Sequence, residues 1–360
     1  MAKKPKYYVR PDGLHESIRT INGKRVAFRG KTDKEVDRKI LEYREEAEKG
    51  RKFPVIADEW YAQHQAKVGT GAQIGYEIVV RRIKKAFPGY VAGIRPVDIQ
   101  RYILAFENQG YSAGSVQKEL SVIKMICAYA VISGDINVSP ATEIKKSRGL
   151  PTKRRNSLTE EQEDAVKAAG KAQTAHWWLF GYMLLYTGLR RGEALALSYS
   201  DIDRKAGVIH VNKKLSYATG RPVMEYHLKS KNGLRDVPLL PPLAAVLPRD
   251  RVGLIFPGED GEFLKVGELD RNWKAFCRDV GFNEFVTLDS GGKKETFPIT
   301  PHCFRHSFAT ICYEAGLDPR QAAQFLGDTP KVLEEVYTHL RESKKQTATE
   351  KLIEHLARNG

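Results

Sequence analysis

Apolar residues recur at helical spacing through most of the chain and alternate as in strands only in a few short runs. Near the start, ESIRTINGKRVAF places two strand-like runs on either side of Asn22 and Gly23. These residues accept the positive φ angles of a tight turn, so a hairpin is predicted. From Thr32 the pattern becomes helical as far as Lys49, and Gly50 closes this unit. Tyr76, Val79, Val80, Ile83 and Phe87 then repeat at about 3.6-residue spacing with Arg81, Arg82, Lys84 and Lys85 between them, which predicts a helix with one apolar and one basic face. A second helix is expected with Ser115 as its N-cap, running through Val116, Leu120, Ile123 and Cys127 and stopping near Gly134. Both stripes read as core.

The segment 144–156, IKKSRGLPTKRRN, has no such periodicity; it carries six basic residues and no acidic one around Gly149 and Pro151, and reads as a linker between domains. Beyond it, Thr159 and Gln162 have capping-box spacing, HWWLFGYMLLY predicts an apolar helix, and VIHVN, PVMEYHL and DVPL predict short strands. From Glu268 to the end helical patterns dominate. In the tail, Leu352, Ile353 and Leu356 share one helical face, which suits docking on a neighbouring molecule or on the chain's own domain. A length of 360 residues exceeds the usual single-domain size and predicts two or three domains.

Charge changes this picture. Lys and Arg total 59 against 44 Asp and Glu, a net +15, which favours a polyanionic partner such as nucleic acid. Residues 1–31 hold nine Lys and Arg against Asp12 and Glu16. A small basic sheet followed by a helix suits strands laid in a DNA groove, the alternative being a solvated basic tail. The four cysteines, Cys127, Cys277, Cys303 and Cys312, have neither zinc-ligand spacing nor the density of a disulfide framework, which fits a reducing intracellular location. The start MAKKPKYYVR is followed by no apolar run, so no secretory signal is expected, and no stretch of the sequence has the length and apolarity of a membrane span.

Three segments carry candidate chemistry. In TGLRRGEALAL, residues 187–197, Gly188 ends the preceding helix and leaves Arg190 at a junction where its guanidinium can enter a site; an ordinary surface arginine is the alternative. In TPHCFRHSFAT, residues 300–310, His302 and Arg305 are three apart and so share a helix face. In LGDTPKVLEEVYTHL, residues 326–340, Tyr337 lies on the last helical pattern after a turn bearing Gly and Pro. Each motif is weak alone. In this order they resemble the signature of the tyrosine recombinase (phage integrase) family, lambda-integrase-like, as in phage and conjugative-transposon integrases. The resemblance covers residues 156–340 closely and the upstream half more loosely.

What the resemblance implies is a mainly α fold with small β-sheets (α+β): an arm-type DNA-binding unit of sheet plus helix over 1–50, a helical core-binding domain over 52–147, a basic linker over 148–156, a mixed α/β catalytic domain over 157–340 and a tail helix over 341–360. It implies that Arg190 and Arg305 bind the phosphate, that His302 assists the proton transfer, and that Tyr337 is the nucleophile. Elementary chemistry agrees. Paired guanidiniums neutralise an anionic phosphodiester and hold the charge that develops on it, with a fork that lysine lacks. A phenol, with a reference pKa of about 10, needs help to lose its proton at neutral pH. The family's proton donor to the leaving 5′ oxygen is a hairpin lysine; here Lys231, at the start of the KNG turn, matches better than Lys229. Asp328 stands where the family usually has His or Trp, and an acid cannot donate as those do, so it is expected to orient His302 or Lys231 or to shape the backbone. Glu193 is expected to brace a basic partner, while His306 and His339 read as structural.

The activity so implied is site-specific recombination: DNA cut and rejoined through a 3′-phosphotyrosyl link, without metal or cofactor, to integrate or excise a phage or mobile element. The partners implied are double-stranded DNA at attachment sites, a homo-tetramer on DNA, a directionality factor (excisionase) and a host DNA-bending protein, in the cytoplasm at the nucleoid and with no membrane. Two rivals stay open, a Xer-like resolvase and a catalytically inactive DNA-binding regulator of the same fold; a type IB topoisomerase is more distant.

Overall fold

In the computed structural model, which describes residues 5–21, 23–152, 156–226, 234–288, 291–338 and 340, the chain divides into two units, residues 1–153 and 154–360. The first begins with an antiparallel sheet in the order β1 (Tyr8–Val9), β2 (His15–Ile21), β3 (Lys24–Gly30). The predicted hairpin is β2–β3, paired from His15↔Gly30 to Ile21↔Lys24, with Gly23 at φ +75°; Asn22 lies outside the described residues. Thr32 caps α1 (Asp33–Glu48) by accepting from the Glu35 amide. Val36 and Ile40 of that helix bury against Phe28 of the sheet, forming a small core of their own.

Four more helices follow: α2 (Phe53–Gln65), α3 (Thr70–Ala86), α4 (Pro96–Glu107) and α5 (Ala113–Ile132). Their apolar stripes close over a second core that includes Phe53, Ile56, Val80, Ile83, Ile103 and Ile123. The predicted basic face of α3 is partly spent inside the unit, because Arg82 donates twice to the fully buried carboxylate of Glu119, which also accepts from the Tyr102 hydroxyl. Helix α5 starts one turn earlier than expected. Its N-cap is Ser112, whose Oγ accepts from the Ser115 amide, so Ser115 is already inside the first turn. The stretch read as a linker is fastened to this unit as far as Pro151: Ile144 is buried, Ser147 binds the Glu107 carboxylate through its amide and hydroxyl, and the Pro151 carbonyl accepts from Ala113.

The second unit is built around a helix that is apolar on every side. Helices α6 (Glu160–Ala172, with the predicted Thr159/Gln162 capping box), α7 (Trp178–Thr187) and α8 (Arg191–Ala196) lead into a sheet in the order β4 (Ile202–Asp203), β5 (Val208–Val211), β8 (Arg235–Pro238), and a hairpin of β6 (Lys213–Ser216) with β7 (Val223–Tyr226). Then come α9 (Pro241–Val246), α10 (Val266–Asp279), a hairpin of β9 (Glu284–Thr287) with β10 (Lys293–Thr296), α11 (Pro301–Glu314), α12 (Pro319–Leu326) and a helical segment over residues 330–338. Phe180, Tyr182, Met183, Leu184 and Leu185 of α7 are all buried, which explains why no amphipathic stripe marks that helix. The β9–β10 hairpin was not expected. Both strands are largely solvent-exposed, so no buried face imposes the alternation by which strands are recognised. Among the described residues no helix is long and apolar enough to cross a membrane.

Within α7, Gly181 has no room for a side chain: a Cβ there would stand 2.3 Å from Cζ of Phe276, a core ring on α10. Overpacking of this kind costs about 1–3 kcal/mol. Gly181→Ala is therefore expected to lower the urea midpoint of the second unit's unfolding, and an unchanged midpoint would mean that α7 and α10 pack less tightly than described.

Candidate active site

Gly188 ends α7 in the left-handed conformation at φ +61°, its amide bonded to the Leu184 carbonyl. This turn buries Leu189 and sets Arg190 at the N-cap of α8. There the Arg190 amide and Nη1 each donate to Glu193 at 2.9 Å. Glu193 is 1% exposed and grips a second arginine, Arg235 of β8, whose Nη2 lies 2.7 Å from Oε2 and whose Nε donates to the Phe325 carbonyl. Burial pushes the Glu193 carboxyl up, but Arg235 and Arg190 outweigh it and hold the group at about 2. The expected bracing role of Glu193 therefore has named partners. Arg235 was not singled out in the sequence; its only signal is an arginine inside a short half-buried strand.

Pro301 opens α11, and the predicted i, i+3 pair lies on it. Arg305 is buried. Its Nη1 donates to the Gly188 carbonyl at 2.8 Å, and its Nη2 donates to the Leu326 carbonyl and to Asp328 Oδ2, both at 2.5 Å. Arg190 reaches the same turn: its Nη2 donates to the Gly327 carbonyl at 2.9 Å and to Asp328 Oδ1 at 2.5 Å. Burial and then Arg190 lower the Arg305 pKa below the usual arginine value, against Asp328, which raises it. One carboxylate thus bridges two guanidiniums supplied by residues 115 apart. Asp328 was expected to orient His302 or Lys231 or to shape the backbone; among the described residues it accepts from Arg190 and Arg305, toward which the left-handed Gly327 cap of α12 turns it.

His302 is exposed at the start of α11, its ring 4.9 Å from that of His306. With Arg190 it lines a cleft of about 770 Å³ whose other walls include Arg191, Trp273, Lys274 and Lys294. Tyr337 is placed differently. It is 2% exposed, packs with Phe308, Cys312, Ala323 and Leu333, and sets its ring 5.0 Å from Tyr313. Its hydroxyl is buried with no hydrogen-bond partner among the described residues. Burial, then Cys312 and Asp318, push its pKa up to about 12. Cys312 and Tyr313 lie seven and eight residues beyond Arg305, about 10–12 Å along the axis of α11. The structure therefore gathers Arg190, Arg305, Asp328 and Glu193, puts His302 on the adjoining cleft, and stores the Tyr337 hydroxyl in apolar packing. Lys229, Lys231 and His339 lie outside the described residues.

The profile of the phage integrase family matches residues 156–344. A protein named tyrosine recombinase XerC-like, from Caldanaerobacter subterraneus subsp. tengcongensis, is 24% identical over 402 aligned positions that cover 98% of this chain and 99% of that protein. The fold is similar to the integrase of transposon Tn1549 in complex with circular intermediate DNA (TM-score 0.64, 18% identity, 84% of this chain and 100% of that one). It is also similar to a lambda integrase dimer bound to a core site (TM-score 0.57, 17% identity, 94% and 95%).

Proposed function

The chain belongs to the phage integrase family, the tyrosine recombinases that break and rejoin DNA, and from that premise we propose that it is an integrase which joins or releases a phage or other mobile element at specific attachment sites. The observation that carries the reading is the convergence of Arg190 and Arg305 on one anionic group beside the cleft that His302 lines.

In the proposed reaction the two guanidiniums hold the non-bridging oxygens of a scissile phosphate. The Tyr337 oxygen attacks phosphorus, its proton passing toward His302. The bond to the 5′ oxygen breaks, and that oxygen takes a proton from Lys231, or from Lys229 in its place. The product is a 3′-phosphotyrosyl link and a free 5′-hydroxyl. Attack by the 5′-hydroxyl of a partner duplex reverses these bond changes and restores the tyrosine, so phosphodiester energy is conserved. Because Tyr337 rests in apolar packing at a pKa near 12, its segment has to leave that packing before it can react. The proposal includes arm-site binding by residues 1–50, core-site binding by 52–147 and catalysis by 157–340, the basic stretch 148–156 joining the last two and the tail 341–360 docking on a neighbour. Four protomers on two duplexes, an excisionase, a host DNA-bending protein and action at the nucleoid in the cytoplasm belong to it as well.

Xer-like resolution is the second reading, favoured by the XerC-like relative whose full length the chain matches. The test is a nicked duplex carrying the candidate core site of the element that encodes the chain, labelled at either end. An adduct that retains the 3′-linked strand and frees a 5′-hydroxyl supports the proposal. Specific binding without any adduct would leave a DNA-binding regulator.

A further inference from the structure

The group on which the two arginines converge is the chain's own carboxylate, and it uses up donors that a phosphate would need. A guanidinium has five N–H groups, two of them on each Nη. Both N–H groups of Arg190 Nη2 are engaged, one by the Gly327 carbonyl and one by Asp328 Oδ1. Both of Arg305 Nη2 are likewise engaged, by the Leu326 carbonyl and Asp328 Oδ2. The carbonyl bonds hold the two forks in place without Asp328, together with the bonds to Glu193 and Gly188. The two Nη2 hydrogens that Asp328 occupies face each other across one anion, the geometry in which a phosphodiester would present its two non-bridging oxygens.

We propose that Asp328 is an internal stand-in for the scissile phosphate, a carboxylate latch that DNA displaces to open the arginine pair. The inference rests on the recombinase reading of the site and adds to it a control on phosphate entry. Two features make displacement feasible. Asp328 sits at the turn after α12 rather than inside a helix, and its side chain is 24% exposed. It also borders a pocket of about 310 Å³ lined by Arg320, Arg235 and Gln324, where a carboxylate turned away from the arginines meets cationic side chains and solvent. Two anions cannot share the fork without repulsion, so a bound phosphate and the latched Asp328 exclude each other. The latch lowers affinity for any phosphate too weakly held to displace it, and so favours a phosphate positioned by the rest of a bound site.

Inorganic phosphate titrated into the full-length protein, followed by calorimetry, reads the latch without requiring cleavage. Asp328→Asn and Asp328→Ala are expected to bind phosphate at least about tenfold more tightly than the unaltered chain, and adding Arg190→Ala is expected to cancel the gain. Equal or weaker binding in both variants would overturn the proposal and make Asp328 a strut that holds the arginines apart. A gain that survives Arg190→Ala would place the anion elsewhere and overturn it too, as would loss of the fold in both variants, which thermal unfolding monitors. A chain that forms the 3′ adduct but shows no gain would sink the latch alone; one that shows the gain but never forms an adduct would sink the recombinase reading alone.

Discussion

Tyr337→Phe is expected to abolish the covalent protein–DNA adduct while leaving the protein as stable as before, or slightly more so. Loss of the adduct follows from the proposed chemistry: without the phenol oxygen no atom of residue 337 can bond to phosphorus, and a neighbouring water would yield hydrolysis rather than a trapped strand. The stability half follows from the structure. The Tyr337 hydroxyl is buried among apolar side chains with no partner among the described residues, and a buried polar group without a hydrogen bond costs about 1–3 kcal/mol. Removing it keeps the ring contact with Tyr313 and relieves that cost, so an unchanged or modestly higher urea midpoint is expected, with unaltered affinity for the duplex. A loss of more than about 1 kcal/mol of stability would show that the hydroxyl has a partner in solution. An adduct that persists in Tyr337→Phe would remove this residue as the nucleophile.

The second large effect is expected at Glu193. The carboxylate is almost fully buried and holds Arg190 and Arg235, the latter with a side chain only 6% exposed. Removing one member of a buried pair strands the other charge and costs about 3–5 kcal/mol. Glu193→Gln should therefore destabilise the second unit by roughly 3 kcal/mol at pH 7 and loosen Arg190, slowing strand cleavage more than it weakens DNA binding. The pH dependence has a definite sign. The folded pKa, about 2, lies below the ordinary glutamate value of 4.5, so the contribution is fully present above the unfolded value and is lost as pH falls from there toward 2. The gap in urea midpoint between wild type and variant should accordingly be wide at pH 7 and narrow steadily below pH 4. A gap of constant width would mean that Glu193 is not ionised in the fold.

Much of the helical framework was legible because its faces are unequal. Helix α3 buries Val79, Val80 and Ile83 and turns charge outward, and the Thr159/Gln162 box marks the start of α6 within a residue. Elements without that asymmetry were harder to read. Strand β10 is Lys-Lys-Glu-Thr with no buried residue, so nothing in its composition separates it from a loop. Ser115 and Ser112 are equally good capping residues, and only the observed backbone path, with Ser112 extended and the helix beginning at Ala113, decides between them.

By itself the sequence determined which residue types are available for the chemistry and which of them are local neighbours. His302 and Arg305 share a face because three residues span most of a helical turn, and Gly188 ends α7 because it alone there takes a positive φ without strain. Only the tertiary structure decided which distant groups meet. Arg235 joins Glu193 across 42 residues, and Asp328 joins Arg190 across 138. Those contacts depend on how α7, α8, α11 and α12 pack, and pairing between segments so far apart leaves no periodicity in the chain. The same is true of the resting place of Tyr337, which is set by the apolar surface that α11 and α12 offer it rather than by any residue beside it in sequence.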